Sequence, residues 1–352
     1  ISPMAQITKP PTLNDLPAPP PGKVGWPWTE QSKPLPGKMP NGSEWPRISI
    51  VTPSYNQGQF IEETIRSVLL QGYLNLEYII FDGGSTDETV SILEKYDPFL
   101  TFWVSEKDGG QTDAINKGFK MATGDLIGWQ NSDDWYQKCA FAHIAKTWTE
   151  NEKYDIYHGN VNYVSEDGSF LFKAGEGEFH PLNMLPWQCI FNQSSFFSRK
   201  IFKEAQFLDL SKRHLMDYEF FWRLYRLGYR FKYVPEVAAS HRQHANAKGS
   251  TQGDIAALEF FEIYKDIYAA ISSRVDDGIQ DSGEIRNKLL KCMAGRCFDD
   301  FGKLRLDLYR THVRDMFDLG GFTSLNAMLI LKYLISFLGE EKILFLKKIK
   351  SL

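Results

Sequence analysis

From residue 48 onward the chain alternates apolar runs of strand length with amphipathic runs of helix length, and the strand-like runs stop at polar, turn-forming tips. Ile48 to Thr52 ends at Pro53-Ser54-Tyr55-Asn56, Glu77 to Phe81 at Asp82-Gly83-Gly84-Ser85-Thr86-Asp87, and Asp125 to Gln130 at Asn131-Ser132-Asp133-Asp134. Gln59 to Gln71 carries Ile61, Ile65, Val68 and Leu69 at helical spacing and stops at Gly72. Glu88 to Tyr96 and Ala114 to Ala122 read as further helices, and Thr101 to Ser105 as a third strand between them. Such alternation predicts βαβ units and a mainly parallel sheet. The C-terminal tips of parallel strands gather on one edge, where open α/β sheets bind ligands, so a pocket for a nucleotide and a metal is expected there.

The flanks read differently. Residues 1–46 hold Pro17, Pro19, Pro20, Pro21, Pro27, Pro34, Pro36, Pro40 and Pro46, with few apolar residues besides Trp26, Trp28 and Trp45. This predicts an extended arm with no core of its own, pinned to a domain over 47–250 by its tryptophans. Within that domain a strand is expected near Ile156, glycine-rich loops around 168–177, a helix from about Asp217 to Leu227 and a strand from Arg230 to Val234. Residues 251–352 form a predominantly helical C-terminal region. Its apolar runs, Met328 to Leu338 and Ile343 to Lys350, are too short and interrupted to span a bilayer. They suit a membrane surface, with the basic tail facing lipid phosphates, or packing against the domain or a second subunit as a homodimer.

Composition excludes several classes. Lys and Arg total 40 against 44 Asp and Glu, a net charge of -4, which does not suit a nucleic-acid binder. The four cysteines form neither a disulfide framework nor a Cys-x-x-Cys zinc pair, and the first residues lack a basic-then-apolar secretory pattern. A reducing, cytoplasmic setting is therefore expected. No Gly-x-Gly-x-x-Gly follows the first strand, where Gly58 is the one glycine of the turn, which argues against a dinucleotide-dependent oxidoreductase. Aromatics reach 14%, enough both to fill a core and to stack on flat or sugar-like rings at a site.

Asp133 is the first candidate for chemistry. Breaking the bond between a sugar and a nucleoside diphosphate leaves negative charge on the departing phosphate, which a divalent cation held by a carboxylate relieves. The tetrapeptide around Asp133 equally suits a turn or a helix N-cap. Its company narrows the reading: Thr52-Pro-Ser-Tyr-Asn56, Asp82-Gly-Gly-Ser-Thr-Asp87, Ser105-Glu-Lys-Asp-Gly-Gly110, Asp113-Ala-Ile-Asn-Lys-Gly118, Ala122-Thr-Gly-Asp125 and Asn131-Ser-Asp-Asp134 follow in order. Together they closely resemble the family 2 glycosyltransferases of the GT-A fold, especially bacterial enzymes of surface-polysaccharide assembly, over roughly residues 47–250.

The resemblance implies an α/β fold of GT-A type. A mainly parallel sheet flanked by helices would comprise a Rossmann-like nucleotide-binding half and an acceptor half, with a helical C-terminal extension. It implies inverting, metal-dependent transfer of a sugar from a UDP, GDP or dTDP donor to a glycan or lipid-linked acceptor, with Mn²⁺ or Mg²⁺, on the inner face of a membrane. Pro53, Tyr55 and Asp82 would hold the base, Asp108 the base or ribose, and Asn116 the donor from its helix. Asn131 and Ser132 would lie near ribose or phosphate, and Asp133 would bind metal. The family's metal motif is usually Asp-x-Asp, so Asn131 is a departure that weakens the ligand set.

Asp217, in His214-Leu-Met-Asp-Tyr-Glu-Phe-Phe-Trp-Arg223, matches the family's general base, with Met216 in place of a more frequent acidic residue. Glu219 is expected to tie down Arg223 or the backbone, between which spacing alone does not decide, and Glu62 to be a solvated or capping residue. In Ser240-His-Arg-Gln-His-Ala-Asn-Ala-Lys248, His244 would complete the metal shell with His241 as its competitor, and Arg242 and Lys248 would neutralise phosphate. Trp187 and Gln193 are candidate sugar contacts. A non-catalytic sugar-nucleotide or glycan binding module, with Asn131 and Met216 as signs of a degenerate site, is the alternative.

Overall fold

The computed structural model describes residues 9–151, 153–185, 188–248, 253–272, 282–303, 305–320, 332–333, 336 and 343. It divides into two compact units, Ile1–Phe179 with Cys189–Ser250, and His180–Gln188 with Thr251–Leu352.

In the first unit, β1 (Ile48–Ser54) is buried along its whole length, as a parallel strand covered on both faces must be. It lies between β2 (Leu76–Asp82) and β4 (Leu126–Trp129), and β3 (Phe102–Ser105) extends the sheet beyond β2, all four parallel. The order β3-β2-β1-β4 reverses direction between β1 and β4. That reversal opens a crevice beyond the C-terminal ends of these two strands, the position where open α/β sheets take ligands.

Helices cover both faces. The stripe of α1 (Ile61–Leu69) is fully buried, and Glu62 and Glu63 in its first turn suit the positive end of the helix dipole. On the other face α3 (Gln111–Met121) lies so close to β1 that a Cβ at Gly118 would stand 2.2 Å from Val51 Cγ1. Only glycine permits that approach. Outside β2 lies α2 (Thr89–Tyr96), and α4 (Ala140–Glu150) buries Phe141, Ile144 and Ala145. That stripe at i, i+3, i+4 was readable but is absent from the sequence expectations above.

Beyond β4 the sheet turns mixed. β8 (Ser195–Ser198) pairs antiparallel with both β4 and β6 (Ile156–Val164), and β9 (Phe231–Arg242) runs parallel to β6. β9 continues well past the expected end at Val234, through Pro235. A two-residue strand, β5 (Trp135–Tyr136), pairs antiparallel with β9. The expected glycine-rich loop around 168–177 instead contains β7 (Phe170–Ala174), which pairs antiparallel with β6. Two helices complete this half, α5 (Arg199–Lys203) and α6 (Met216–Arg226). In α6, Arg223 donates Nε to Glu219 Oε1 at 2.7 Å and Nη2 to Oε2 at 3.0 Å, one of the two ties expected of Glu219.

The proline-rich arm is stitched down by backbone and side-chain bonds. Arg66 of α1, fully buried, donates to the carbonyls of Pro17, Pro27 and Trp28 at 2.9 to 3.0 Å and to the Tyr96 hydroxyl at 3.0 Å. Trp26 Nε1 donates to Tyr136 O, while Trp28 is buried beside the Arg66 guanidinium. Glu62, also buried, accepts from Lys95 Nζ and the Tyr96 hydroxyl rather than facing water.

The second unit contains α7 (Gly253–Ser272), α8 (Ser282–Gly302) and α9 (Leu306–Gly320). Phe261, Tyr264, Leu289, Met293, Tyr309 and Val313 form its core, and His312 Nδ1 lies 2.8 Å from the buried Asp300 carboxylate. Among the described residues no helix is long and apolar enough to cross a membrane. The runs over 328–338 and 343–350 fall almost wholly outside the described residues, as does Trp187.

Candidate functional site

The edge at the β1–β4 crevice is built in two parts. On the β1 and β2 side, Ser54 stands in register with Asp82. The buried Asp82 carboxylate accepts from Ser85 N at 2.8 Å, Ser85 Oγ at 2.5 Å and Ser105 Oγ at 2.6 Å. An ionised carboxylate has about four acceptor positions, so one remains for a ligand N–H. Asn56, with φ of 51°, receives Thr86 N on its side-chain oxygen and donates its own N–H to Ser85 Oγ. These bonds lock the two loops together and leave Tyr55 61% exposed at the rim beside Pro53. Asp108 accepts from Gly110 N at 2.7 Å, with its carboxylate against Gly83.

Asn116 faces elsewhere. Its amide donates to Leu208 O at 2.9 Å and accepts from Leu208 N at 3.0 Å, buried, so it clips the 208 loop to α3. A buried side-chain amide finds its partners in a nearby backbone pair.

The β4 side is denser in charge. β5 begins directly after Asp134, and its pairing of Trp135 with Ser240 carries the Asn131–Asp134 turn alongside His241 and Arg242. Asp134, fully buried, accepts Arg242 N on Oδ1 at 2.8 Å, with Gln193 Nε2 at 3.0 Å and Asn131 Nδ2 at 3.2 Å on Oδ2. His241 Nδ1 lies 3.2 Å from Oδ1. Burial alone would raise the Asp134 pKa, but the positive His241 and these donors outweigh it and hold the carboxyl below its ordinary value. Burial likewise opposes protonation of His241, yet the charge of Asp134, its hydrogen bond, then Asp133 and Asp217, raise it. Sequence reasoning left Asp134 without a role; the signal was the doubled aspartate ahead of a strand too short to announce itself.

Asp133 lies next to this hub with its carboxylate part-exposed. His244 Nε2 is 3.2 Å from Asp133 Oδ2, and the His244 ring packs on Phe60 at 4.9 Å. Burial first and the Asp134 charge second push Asp133 upward. Adjacent ligands of an octahedral ion with bonds of about 2.1 Å stand about 3.0 Å apart, so this oxygen and nitrogen are spaced as two neighbouring ligands would be. Among the described residues no group of three or more His, Cys, Asp or Glu could hold a metal.

Other expected contacts are bonded within the protein. Arg242 is buried between Phe60 and Trp135, with its guanidinium 4.7 and 4.6 Å from their ring centres. It donates to Asp133 O at 3.0 Å, Glu166 O at 2.5 Å and Glu63 Oε2 at 2.7 Å, so its fork is occupied and not turned to phosphate. Gln193 is buried between Asp134 and His241, not presented to a sugar. Asn131 accepts from Gln111 Nε2 and Trp129 Nε1, and Gln111 in turn accepts from Lys248 Nζ at 3.0 Å. Ser132 is buried, its carbonyl receiving Thr64 Oγ1.

Asp217 stands in the first turn of α6, where Tyr218 N donates to its Oδ1 at 2.8 Å. Its charge is the smallest of the causes that raise His241 and Tyr163. Met216 is buried beneath Thr112 of α3, where a carboxylate would have to be desolvated.

The crevice at the sheet reversal is thus rimmed by turn-held loops on one side and by acidic and imidazole groups on the other. The glycosyl transferase family 2 model matches residues 49–216, so the chain is similar to that family over this stretch. An uncharacterized glycosyltransferase of Mycobacterium tuberculosis H37Rv is 40% identical over 90 residues, covering 25% of this chain and 34% of that protein. The chain thus spans about a third of the length of the first curated relatives it matches. Glycosyltransferase GlyG of Streptococcus pneumoniae is 26% identical over 249 residues, covering 65% of this chain and 80% of that protein. The crystal structure of residues 1–349 of TarS from S. aureus in complex with UDP-GlcNAc superposes with a TM-score of 0.60 at 17% identity, over 78% of this chain and 81% of that one. The fold is GT-A, with a curled, mostly parallel sheet flanked by helices and a helical C-terminal part.

Proposed function

We propose that the protein transfers a glycosyl group from a nucleoside diphosphate sugar to an acceptor hydroxyl in a single, inverting displacement that depends on a divalent metal. The observation that carries this reading is the meeting of Asp133, Asp134, His241 and His244 beyond β4, on the same sheet edge as Tyr55 and Asp82. The TarS structures with UDP-GlcNAc and with UDP share this fold, which favours a nucleotide sugar as donor.

In this mechanism Tyr55 offers a flat face to the base, while Asp82, fixed by its serines, accepts one base N–H with its remaining lone pair. Mn²⁺ or Mg²⁺, held by Asp133 and His244, would supply positive charge for the departing diphosphate. Asp134 works through others: it orients His241 and, by binding Arg242 N, keeps the β9 end in place. Asp217 removes the proton from the acceptor hydroxyl as its oxygen attacks the anomeric carbon. The bond from that carbon to the diphosphate oxygen breaks, its electron pair leaving with the nucleotide.

A panel of UDP-, GDP- and dTDP-sugars, incubated with Mn²⁺ or with chelator, tests this. Release of nucleoside diphosphate with Mn²⁺ and its loss on chelation is the expected result. Asp217→Asn should lower transfer by about 10²- to 10⁴-fold while calorimetry finds donor affinity unchanged. Donor binding with no release under any condition would instead favour a non-catalytic binding module.

A further inference from the structure

We propose that the hairpin of β6 and β7 is the acceptor platform, an aromatic face on which a pyranose ring of the acceptor stacks to present its hydroxyl to Asp217. The proposal rests on the transferase reading above and adds the part of the site that takes the second substrate.

Phe170, Leu171 and Phe172 are 62%, 46% and 48% exposed, three consecutive large apolar side chains in water. Among the described residues β7 pairs with β6 alone. An apolar run on an edge strand invites aggregation, and natural sheets place charge or proline there instead. A clustered patch of this kind marks a binding surface.

Continuity with the reaction site decides the occupant. Phe172 stacks on Tyr163, ring centres 4.5 Å apart and planes 13° from parallel. Tyr163 meets His241 edge-on at 4.8 Å and 70°, and His241 is bonded to Asp134. Rings therefore run without a break from solvent at Phe172 to the buried carboxylate. The Tyr163 phenol is raised by burial and then by the charges of Asp134 and Asp217. The β6–β7 register shifts between Tyr163 and Val164, an irregularity of the kind that re-aims side chains beside active sites.

The chemistry of the face matches a neutral sugar. On the hairpin Lys173 pairs with Glu176 and the turn carries the exposed Glu166 and Asp167, so an anionic ligand meets no unpaired positive charge from these residues. The donor's diphosphate belongs by charge with the metal ligands at the other end of the cluster. An uncharged ring with a C–H face and a hydroxyl edge fits both requirements here: an apolar aromatic surface and a carboxylate able to take a proton.

Saturation-transfer NMR with methyl pyranosides (gluco, galacto and N-acetylglucosamine), at millimolar concentration with the full chain, tests the platform independently of turnover. Wild type should saturate the ring C–H protons of at least one pyranoside. Phe172→Ser should lower that signal about fivefold or more, whereas Phe172→Trp, which keeps a flat face, should retain it. UDP affinity by calorimetry should be equal in all three. Should Phe172→Ser not fold, Phe172→Leu replaces it, since an apolar but non-planar side chain must also lose the signal. No saturation in wild type, or undiminished saturation in Phe172→Ser or Phe172→Leu, overturns the platform. So does a wild-type dimer, seen by sedimentation, that Phe172→Ser dissociates, because the face would then belong to a second copy. If no nucleotide is released from any donor while pyranosides still saturate, the transferase reading fails and with it the acceptor role, and the face remains a sugar-binding surface.

Discussion

The two rims of the crevice satisfy their polar groups in opposite ways. At the β1 and β2 tips the bonds are turn bonds, Ser85 to Asp82 within one loop, and Thr86 to Asn56 and Gly58 to Asp87 between two exposed loops about 30 residues apart. At the β4 and β9 tips charges are buried, and their partners come from four separate segments: Arg242 to Glu63 and Asp134, Gln193 to Asp134, and His244 to Asp133. The first rim holds a shape and keeps its outer faces for a ligand. The second holds charge in place, and each member depends on the rest.

The widest gap between the rims should appear on removing Asp134. Asp134→Ala strips partners from Arg242 N, Gln193, Asn131 and His241 inside the protein, and should destabilise by about 4 kcal/mol in denaturant unfolding. Next comes Arg242→Lys, which keeps the charge but cannot reproduce the fork to Asp133 O, Glu166 O and Glu63; a loss of about 2.5 kcal/mol is expected. Asp82→Ala, in the turn rim, should cost only about 1.5 kcal/mol, because solvent can reach the freed serines. An Asp82→Ala loss equal to that of Asp134→Ala would remove the distinction.

That same distinction explains what could be read from the chain. The parallel half was legible because its signals are local: the α1 stripe, the Gly72 stop and the polar tips each lie within one element and its turn. Glu219 and Arg223, one helical turn apart, were a readable candidate pair for the same reason. The mixed half was not. β5 is two residues long, β7 hides among glycines, and nothing near Arg242 in sequence says that Glu63, 179 positions away, will take its guanidinium. Residue type alone does not show this, since an Arg, a Gln and an Asn near a phosphate-binding edge read as ligand contacts. In the fold Arg242, Gln193 and Asn116 are buried and bonded to partners far off in sequence. Tyr163 was missed because a tyrosine in a strand gives no sign of what stacks on it.

The smallest effect expected is one of pH, and it too separates the rims. His241 is raised above its ordinary value of 6.5, so its stabilisation is complete below about pH 6.5 and is lost as pH climbs through the folded-state value. Asp134 is lowered below 3.8, so its contribution is present above that value and fades only as pH falls through the folded-state one. In the turn rim, burial would raise Asp87, but hydrogen bonds from Thr89 and Gly58 outweigh it and lower it, so its contribution is likewise constant at neutral pH. Between about pH 6 and about pH 9 the second rim should therefore loosen while the first does not. Amide exchange, corrected for intrinsic rates, should show falling protection at Asp134–Tyr136 and Ser240–Arg242 and none at Asp82–Asp87. Thermal midpoints of wild type should decline over the same range, and those of His241→Gln should stay flatter. Equal loosening of both rims, or an unchanged slope in His241→Gln, would mean that the imidazole is not what ties β9 to the aspartate turn.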